Sequence, residues 1–557
     1  MYLCRIDVLP VELLYTIFTY LSAHEIFYAF YNLSDYVDAV LVNYDRYLVN
    51  FCSVLKSQFD VTCYYIRPDR VISLTLSDDD ETPGQSEIFF SRFNIEQFIY
   101  LRSLDVSFMN DNTCKQLSNL DQLKYLSSLE MPRLFQPYCI DFDSAIRNLL
   151  PQLNRLAVHN TFHLVDHPLP RLRHLNLKFC NCRQLSSLLN QMPNLYSLDI
   201  ILSVDLHTNW SYDVPRLTHL RRFVLSTNGE HVTMIQIEQL LSKIPNLTHF
   251  ELDTQGNIDL IDGQQWELLV SHLIVFNFRI HLFCPLLNFS KNNILESFRS
   301  LFWLEHKQWF VSYDDPDIFT VPRFASNIVT HPYANWPPLC TSSGFNFDQC
   351  VRCIRLSLLD PVPPSFINVT SLVFDTEEIT TDVGLFAFLK LLEHMPCVHS
   401  LSFRNLPVLT SASNNVVLKN IRTLHVQNAY ITAENRLQLD INRLCMIFPQ
   451  IERLNMELTS RQDFVLLVDQ LKYLSIVKVE FYHLSSIDTD SYLTRDWLTK
   501  NSRRLKTNNN FMYKRIHNKI HLWINNDKTE FQTSDQWTVF PVSLLKWVMS
   551  WFSDRQI

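Results

Sequence analysis

A few short stretches of this 557-residue sequence carry residues whose types and spacing could do chemistry. Cys350 and Cys353 form a C-x-x-C pair, and His163 and His167 have the i, i+4 spacing of two side chains on one helix face. Structural zinc needs four converging ligands, usually from two such pairs. The cysteine pair is isolated and partly inside a predicted strand, and the histidines are followed by prolines that favour an exposed loop. We therefore predict no metal site.

Two charged runs are further candidates. The run at 77–81, Ser-Asp-Asp-Asp-Glu, could attract a divalent cation, and the alternative that we prefer is a solvated loop between repeats. Residues 500–519 contain lysines and arginines but no acid. Such a stretch could contact RNA or an acidic partner, yet single basic stretches are more often solvated surface or localisation signals. A net charge of −9 gives no general reason to expect nucleic-acid binding, so we do not favour it.

Composition excludes several classes of protein. The six glycines are dispersed, whereas a phosphate-cradling loop needs clustered glycines, so no nucleotide cofactor is predicted. No Ser/His/Asp or Cys/His set can be assembled from spacing, and we predict that the protein is not an enzyme; an enzyme on another fold is the minor alternative.

Thirteen cysteines without a compact framework indicate reduced thiols in a cytoplasmic or nuclear protein. The most apolar long window, 270–289, is interrupted by polar residues, and the N-terminus carries acids unlike a signal peptide, so neither a membrane span nor secretion is expected.

One apolar-x-x-apolar-x-apolar pattern recurs at intervals of roughly 25 residues. Its copies are LRSLDV at 101, LSSLEM at 126, LNRLAV at 153, LRHLNL at 172, LYSLDI at 195, LRRFVL at 220, LTHFEL at 247, LIVFNF at 273, VTSLVF at 369, VHSLSF at 398, IRTLHV at 421, IERLNM at 451 and LSIVKV at 474, with outliers VISLTL at 71 and VRCIRL at 351. Amphipathic stretches such as LSSLLNQMPNL precede many copies, and their proline stops a helix because it disfavours helical geometry at the preceding residue. Each unit therefore predicts a helix, a stop and a short strand.

Such units must stack to bury both their strand and their helix. The fold class that we predict is α/β, with a three-helix N-terminal unit followed by an irregular repeat solenoid whose curved parallel sheet lies inside and whose helices lie outside. The stretch 172–180, LRHLNLKFC, resembles the leucine-rich repeat superfamily in its intracellular, helix-containing form. The alternative is an ordinary α/β protein with leucine-rich strands.

The repeat pattern also predicts the domain organisation. Residues 1–45 form the helical unit, 46–279 a first arc of repeats and 351–485 a second arc. Between the arcs, 280–350 form an insertion in which WFVSYDDPDIFTV at 309–321 alternates around a turn and predicts a hairpin. Residues 486–557 form a C-terminal cap, with a strand at HLWIN (521–525) and a helix over 542–552.

Three short helices are predicted at the front of the chain. Pro10 suits the first turn of a helix, Ser22 and Glu25 have the capping-box spacing, and a third helix begins near Asp35. This segment resembles an F-box, whose pattern opens Leu-Pro-x-Glu-Leu-Leu and continues Ile-Phe-x-Tyr-Leu. The residues that match are Leu9, Pro10, Glu12, Leu13, Leu14, Ile17, Phe18, Tyr20, Leu21, Glu25 and Ile26, and Tyr36 stands where the family has tryptophan.

The resemblance implies a partner and a role. An F-box docks on the Skp-type adaptor of a cullin-RING (SCF-type) ubiquitin ligase, and the residues that would face the adaptor or shape that surface are Leu9, Pro10, Leu13, Ile17, Phe18, Leu21 and Ile26. An F-box followed by leucine-rich repeats is a family architecture, and the irregular repeats also resemble those of F-box proteins from rotifers. The implied role is a substrate-recognition subunit; the alternative is a non-catalytic leucine-rich-repeat scaffold with the front helices as a cap.

The repeats would hold the target protein, whose identity the sequence does not indicate. Period-two alternation places the third, fifth and seventh residues of each strand on the concave face, where such arrays usually bind partners. These residues are His174, Asn176, Lys178, Ser197, Asp199, Arg222, His249, Glu251, Asp253, Arg404, His425, Arg453, Asn455 and Glu457. Their mixed charge indicates a protein ligand, with no cofactor, metal or membrane involved.

Overall fold

The computed structural model describes residues 9–107, 111–131, 140–161, 164, 168–204, 214–229, 231–256, 258–282, 291–330, 336–356, 366–375, 382–405, 416–428, 441–458, 460–481, 493–506, 510–516 and 518–525. Within these residues no helix is both long and apolar enough to cross a membrane. The predicted helix at 542–552 and the pair His163 and His167 lie outside the described residues.

The strands form two sheets. Their bounds are β1 Tyr47–Asn50, β2 Val71–Ser77, β3 Ser103–Ser107, β4 Ser128–Met131, β5 Arg155–Val158, β6 His174–Asn181, β7 Ser197–Val204, β8 Arg222–Gly229, β9 His249–Gly256, β10 Val275–Leu282, β11 Phe310–Asp314, β12 Asp317–Val321, β13 Ile328–Thr330, β14 Leu339–Cys340, β15 Cys353–Leu356, β16 Ser371–Phe374, β17 Ser400–Asn405, β18 Thr423–Asn428, β19 Arg453–Leu458, β20 Ile476–Phe481, β21 Phe511–Ile516 and β22 Lys519–Ile524. The first sheet runs β1 to β10 in sequence and then β12, β11 and β14; the second runs β13, β15 to β20, β22 and β21.

Helices and turns connect the strands. The helices are α1 Val11–Phe18, α2 Ala23–Phe30, α3 Asp35–Asn43, α4 Lys56–Tyr65, α5 Gln85–Arg92, α6 Asp111–Gln116, α7 Ile140–Leu149, α8 Cys182–Asn190, α9 Met234–Ser242, α10 Gly263–Val270, α11 Lys291–Glu296, α12 Asp382–His394, α13 Ile441–Ile447, α14 Arg461–Gln470 and α15 Arg495–Asn501, with a π-helical turn at Phe302–His306. Helix α8 lies where the stretch LSSLLNQMPNL predicts a helix.

Each copy of the repeat pattern forms a strand, and within each sheet successive copies pair in parallel. The fourth residues align in register, so that Leu104 faces Leu129 and Leu156 faces Leu175. These leucines are buried, because the helices cover this face of the sheet. We call the opposite face, which carries the third, fifth and seventh residues counted from the start of each copy of the pattern, the open face. The fold is a mixed α/β solenoid of leucine-rich units, as the pattern predicts.

Helix α8 shows how a unit closes. Asn181 caps the helix, its side-chain oxygen accepting a hydrogen bond from the Gln184 amide at 2.9 Å. Leu185, Leu188 and Leu189 are buried at the 3-to-4 spacing of a helix face that packs on the sheet. Three residues after the helix, Pro193 precedes the next strand, which confirms the predicted order of helix, stop and strand.

The predicted hairpin at 309–321 is present as β11 and β12, which pair antiparallel. Strand β12 also pairs antiparallel with β10, so the hairpin extends the first sheet and ends its parallel run. At the other end of the array, β22 pairs antiparallel with β20 and β21. Strand β22 contains the predicted strand at 521 and covers the edge of the last repeat.

The last hairpin also contacts the first repeats. Trp523 in β22 is fully buried and belongs to the same hydrophobic core as Phe59 of α4. Its ring lies 5.1 Å from the Phe59 ring, and its Nε1 donates to the Val54 carbonyl at 3.0 Å. The two ends of the array therefore pack against each other, which no repeat pattern predicts.

The acidic run 77–81 lies at this junction, which corrects the expectation of a solvated loop. Lys478 of β20 donates to the Asp80 carboxylate, and Arg453 of β19 donates to Glu81 at 2.7 Å. Part of the basic stretch 500–519 is used internally as well. Arg504 donates to the carbonyls of Leu471 and Leu474 at 2.6 and 2.7 Å, respectively.

Candidate protein-binding surfaces

The N-terminal helices carry the residues predicted to dock an adaptor, and these residues divide into two groups. Pro10 and Leu13 are exposed, Leu13 with 51% of its surface accessible, and Leu9 and Ile17 are partly buried. We call these residues, Leu9, Pro10, Leu13 and Ile17, the α1 surface. Phe18, Leu21 and Ile26 are buried.

The buried group holds the three helices together. The Phe18 ring makes edge contacts with Phe30 at 5.1 Å and Tyr44 at 5.3 Å. Because these side chains lie within the core shared with the first repeats, they shape the α1 surface without being able to contact a partner directly. The sequence pattern does not separate the two groups, since both consist of apolar residues at helical spacing.

Tyr36 stabilises the start of the α1 surface. Its hydroxyl donates to the Leu9 carbonyl at 2.9 Å, which joins α3 to the residues before α1. Ser22 and Glu25 form the predicted capping box, the Glu25 carboxylate accepting from the Ser22 amide at 2.8 Å. Two further aromatic side chains of this unit, Tyr20 in the turn after α1 and Tyr28 on α2, are about half exposed.

The predicted target-binding residues of the first sheet share the open face, in rows that cross the strands. His174, Ser197, Arg222 and His249 align in one row, and Asn176 aligns with Asp199 in the next. The Asn176 amide donates to the Asp199 carboxylate at 3.2 Å. Burial raises the pKa of Asp199, and the cations Lys178 and Arg222 oppose this shift.

Two arginines that the sequence analysis does not single out neutralise acids of this face. Arg323 donates to both carboxylate oxygens of Glu251, at 2.9 and 2.7 Å, and Arg279 makes a bidentate pair with Asp253. Both guanidinium groups lie 5.5 Å from the ring centre of Phe324. Glu251 and Asp253 are therefore already paired within the chain, and a partner would meet a folded ionic cluster rather than free acids. The sequence spacing gives no signal for Arg323 and Arg279 as partners of these acids, and only their opposite charge could have indicated them.

The open face of the second sheet contains a cavity of about 230 Å³. It is lined by His425, Val426, Gln427, Asn455, Glu457, Lys478, Glu480 and Lys519. Parallel register brings the predicted residues His425 and Asn455 side by side. Of the other predicted residues, Arg404 is exposed on β17, whereas Arg453 is engaged with Glu81 at the junction.

Glu457 is the unusual acid of this cavity. Burial and the neighbouring carboxylate of Glu480 together raise its pKa to about 7, and Lys519 opposes the shift. Glu480 faces Glu457 across paired strands and forms an ion pair with Lys519 at 3.0 Å. The cavity therefore changes charge near neutral pH.

This shift gives a testable pH dependence. The folded chain retains a proton on Glu457 that the unfolded chain releases near the ordinary pKa of 4.5, so Glu457 lowers stability as pH rises from about 4.5 to 7. We expect Glu457→Gln to be more stable than wild type at pH 8 and to match it at pH 4, below the ordinary pKa, measured as denaturation midpoints. A difference between the two proteins that is independent of pH would contradict the shifted pKa.

The metal-ligand candidates do not assemble into a site within the described part of the chain, where no three His, Cys, Asp or Glu side chains form a group that could hold an ion. Cys350 and Cys353 carry free thiols, and burial raises the pKa of each.

No protein-family model and no curated protein matches the chain. Among solved structures, the chain is similar to one in the crystal structure of the Rad7 and Elc1 complex in yeast, with 12% identity, a TM-score of 0.32, and coverage of 74% of this chain and 88% of that chain. It is also similar to a chain in the crystal structure of a TLR13–ssRNA13 complex, with 14% identity, a TM-score of 0.27, and coverage of 78% and 69%, respectively.

Proposed function

We propose that the protein is a non-catalytic substrate receptor, in which the α1 surface docks on the Skp-type adaptor of a cullin-RING ubiquitin ligase and the open face of the repeats holds a target protein. The observation that carries this proposal is the apolar side chain of Leu13, half exposed beside Pro10 on a helix whose other face is buried. Such a receptor would act by raising the effective concentration of the target near the ubiquitin-conjugating enzyme.

The geometry also determines which substitution tests the proposal. Leu21 is buried, so a charge there would unfold the helices and abolish binding for a trivial reason. Leu13→Asp places the charge on the exposed part of the α1 surface. In a pull-down with purified Skp-type adaptor, we expect the amount of adaptor bound to this variant to fall about tenfold or more below wild type. The reason is that a buried interface would have to desolvate the carboxylate.

Leu268→Asp is the matched control, since Leu268 on α10 is 81% exposed and far in sequence from the α1 surface. This variant is expected to bind the adaptor like wild type, and both variants should unfold at the wild-type denaturant concentration. If wild type fails to bind the adaptor, or if Leu13→Asp binds as well as Leu268→Asp, the ligase role is wrong.

A scaffold without a ligase role is the second candidate. The packing of the N-terminal helices favours it, because α2 packs on α4 and the buried residues of all three helices join the core of the first repeats. This packing is what a cap for the first strand requires. Under this alternative, removing the exposed leucine would leave every interaction of the protein unchanged.

A further inference from the structure

A large concavity of the described residues lies at the edge where the strands of the first sheet begin. It is a groove of about 900 Å³ that runs across the segments preceding β4 to β8. Its lining residues are Ser127, Gln152, Asn154, Pro170, Arg171, Arg173, Asn194, Tyr196, His219 and Arg221. None of them belongs to the predicted target-binding set. We call this concavity the edge groove.

The charge of the edge groove has one sign. Arg171, Arg173 and Arg221 are exposed, as is His219, and none of the lining residues that the structure describes is an acid. On the open face, by contrast, Arg323 and Arg279 are each paired with an acid. Cations brought together without acids repel one another, and an anionic ligand would relieve this repulsion.

The backbone fixes the spacing of these cations. The Tyr196 amide donates to the Arg173 carbonyl at 2.8 Å, and the Arg221 amide donates to the Tyr196 carbonyl at 2.9 Å. The three residues therefore lie side by side, each just before one of three neighbouring strands. Neighbouring strands of a sheet lie about 4.8 Å apart, so the backbones of Arg173 and Arg221, two strands apart, are separated by roughly 10 Å. A peptide in the extended polyproline II conformation advances about 3.1 Å per residue with three residues per turn, so acidic groups three residues apart lie on the same side and match the two arginines.

Side-chain chemistry supports an oxyanion ligand. A guanidinium group presents planar paired donors that match a phosphate or carboxylate, and clusters of arginines are a recurring means of recognising phosphorylated or acidic segments. Tyr196, which is half exposed and lies between Arg173 and Arg221, adds a hydroxyl donor. The local field is positive: beyond the effect of burial, Arg155 and Arg173 lower the pKa of the adjacent His174.

From this arrangement we propose that the edge groove binds an extended phosphorylated peptide, with one phosphate on the Arg171 and Arg173 guanidinium groups and a second acidic group three residues away on Arg221. The ligand class follows from the groove itself; only the idea that the peptide belongs to a ubiquitination target rests on the proposed function.

The test uses the full chain and three fluorescein-labelled probes. The first is an eight-residue peptide with phosphoserine and glutamate three positions apart, the second is the same peptide with unmodified serine, and the third is an oligouridine. By fluorescence anisotropy at 150 mM salt, we expect wild type to prefer the phosphopeptide to the serine peptide by at least about tenfold. Arg171→Ala/Arg173→Ala should lose this preference.

Arg183→Ala is the matched control, because Arg183 is exposed on α8 in the same repeat and does not line the groove. It should bind the phosphopeptide within about twofold of wild type. The proposal is overturned if wild type does not distinguish the two peptides, if the double variant binds the phosphopeptide like wild type, or if oligouridine binds more tightly than the phosphopeptide.

Adaptor pull-down with the same double variant separates this proposal from the proposed function. Retained adaptor with lost phosphopeptide binding supports both. Phosphopeptide binding by a wild-type chain that retains no adaptor would remove the ligase role and leave the peptide site intact.

Discussion

Replacing Trp523 with alanine is expected to lower the free energy of unfolding by about 3–5 kcal/mol. The indole is fully buried between the last hairpin and the first repeats, where it contacts the Phe59 ring and donates to the Val54 carbonyl. Truncation would leave a cavity and would remove the donor from a buried carbonyl, and each effect destabilises the folded chain. Chemical denaturation of wild type and variant measures the loss.

Trp523→Phe separates the two contributions. Phenylalanine retains most of the apolar contact but has no N–H, so the expected loss is smaller, about 1–3 kcal/mol. Hydrogen exchange adds a local measurement, because an opened junction should expose the amides of α4 in the alanine variant. Equal stability of the alanine variant and wild type would show that the two ends of the array do not pack as described.

Ion pairs contribute less to this junction than the indole does. Lys478 with Asp80 and Arg453 with Glu81 are partly exposed, and exposed pairs are worth only about 0–1 kcal/mol each. Salt screens such pairs without weakening apolar burial. The packing of Trp523 therefore contributes most to the contact between the two ends of the array, and the charges of the 77–81 run contribute less.

The strands of the repeats could be predicted because their signal is local. Each copy places apolar residues at the fourth and sixth positions, and stacking requires these residues to align, as Leu104 and Leu129 do. Strand β1, Tyr47–Asn50, lacks the pattern and was missed. The packing of Trp523 on Phe59 could not be predicted either, because it joins residues at opposite ends of the chain and depends on how the whole array curves.

For the candidate binding residues, the face of the sheet was predictable from the sequence but the partner side chains were not. Alternation correctly places Asp199, Glu251 and Glu457 on the open face, whereas the bidentate pairing of Arg323 with Glu251 depends on a turn after β12 that returns to β9. The edge groove was missed for a related reason. Arg173 and Arg221 lie just before the strands, at positions that the repeat pattern leaves free, and only parallel stacking brings them to the same level two strands apart.

Gly263→Ala is expected to destabilise the protein by about 3 kcal/mol, at the upper end of the range for an overpacked core. A Cβ atom on Gly263 would lie 2.4 Å from the Ser297 carbonyl oxygen and 2.9 Å from the Phe298 amide nitrogen, so it would collide with backbone rather than with a movable side chain. The two segments cannot separate easily. The Gly263 amide donates to the Ser297 hydroxyl at 2.9 Å, and the buried Trp303 donates to the Gly263 carbonyl at 3.1 Å.

Gly344→Ala is the matched control, because a Cβ atom there would meet no atom within 4 Å. This variant should change the free energy of unfolding by less than about 0.5 kcal/mol, or stabilise the chain slightly by reducing the freedom of the unfolded state. Thermal and chemical denaturation of both variants measure the contrast. If the two alanines had the same effect, the close packing of α10 against residues 297–303 would be contradicted. A loss confined to Gly263→Ala would show that the end of the first parallel run depends on backbone contact, which explains why one of so few glycines lies there.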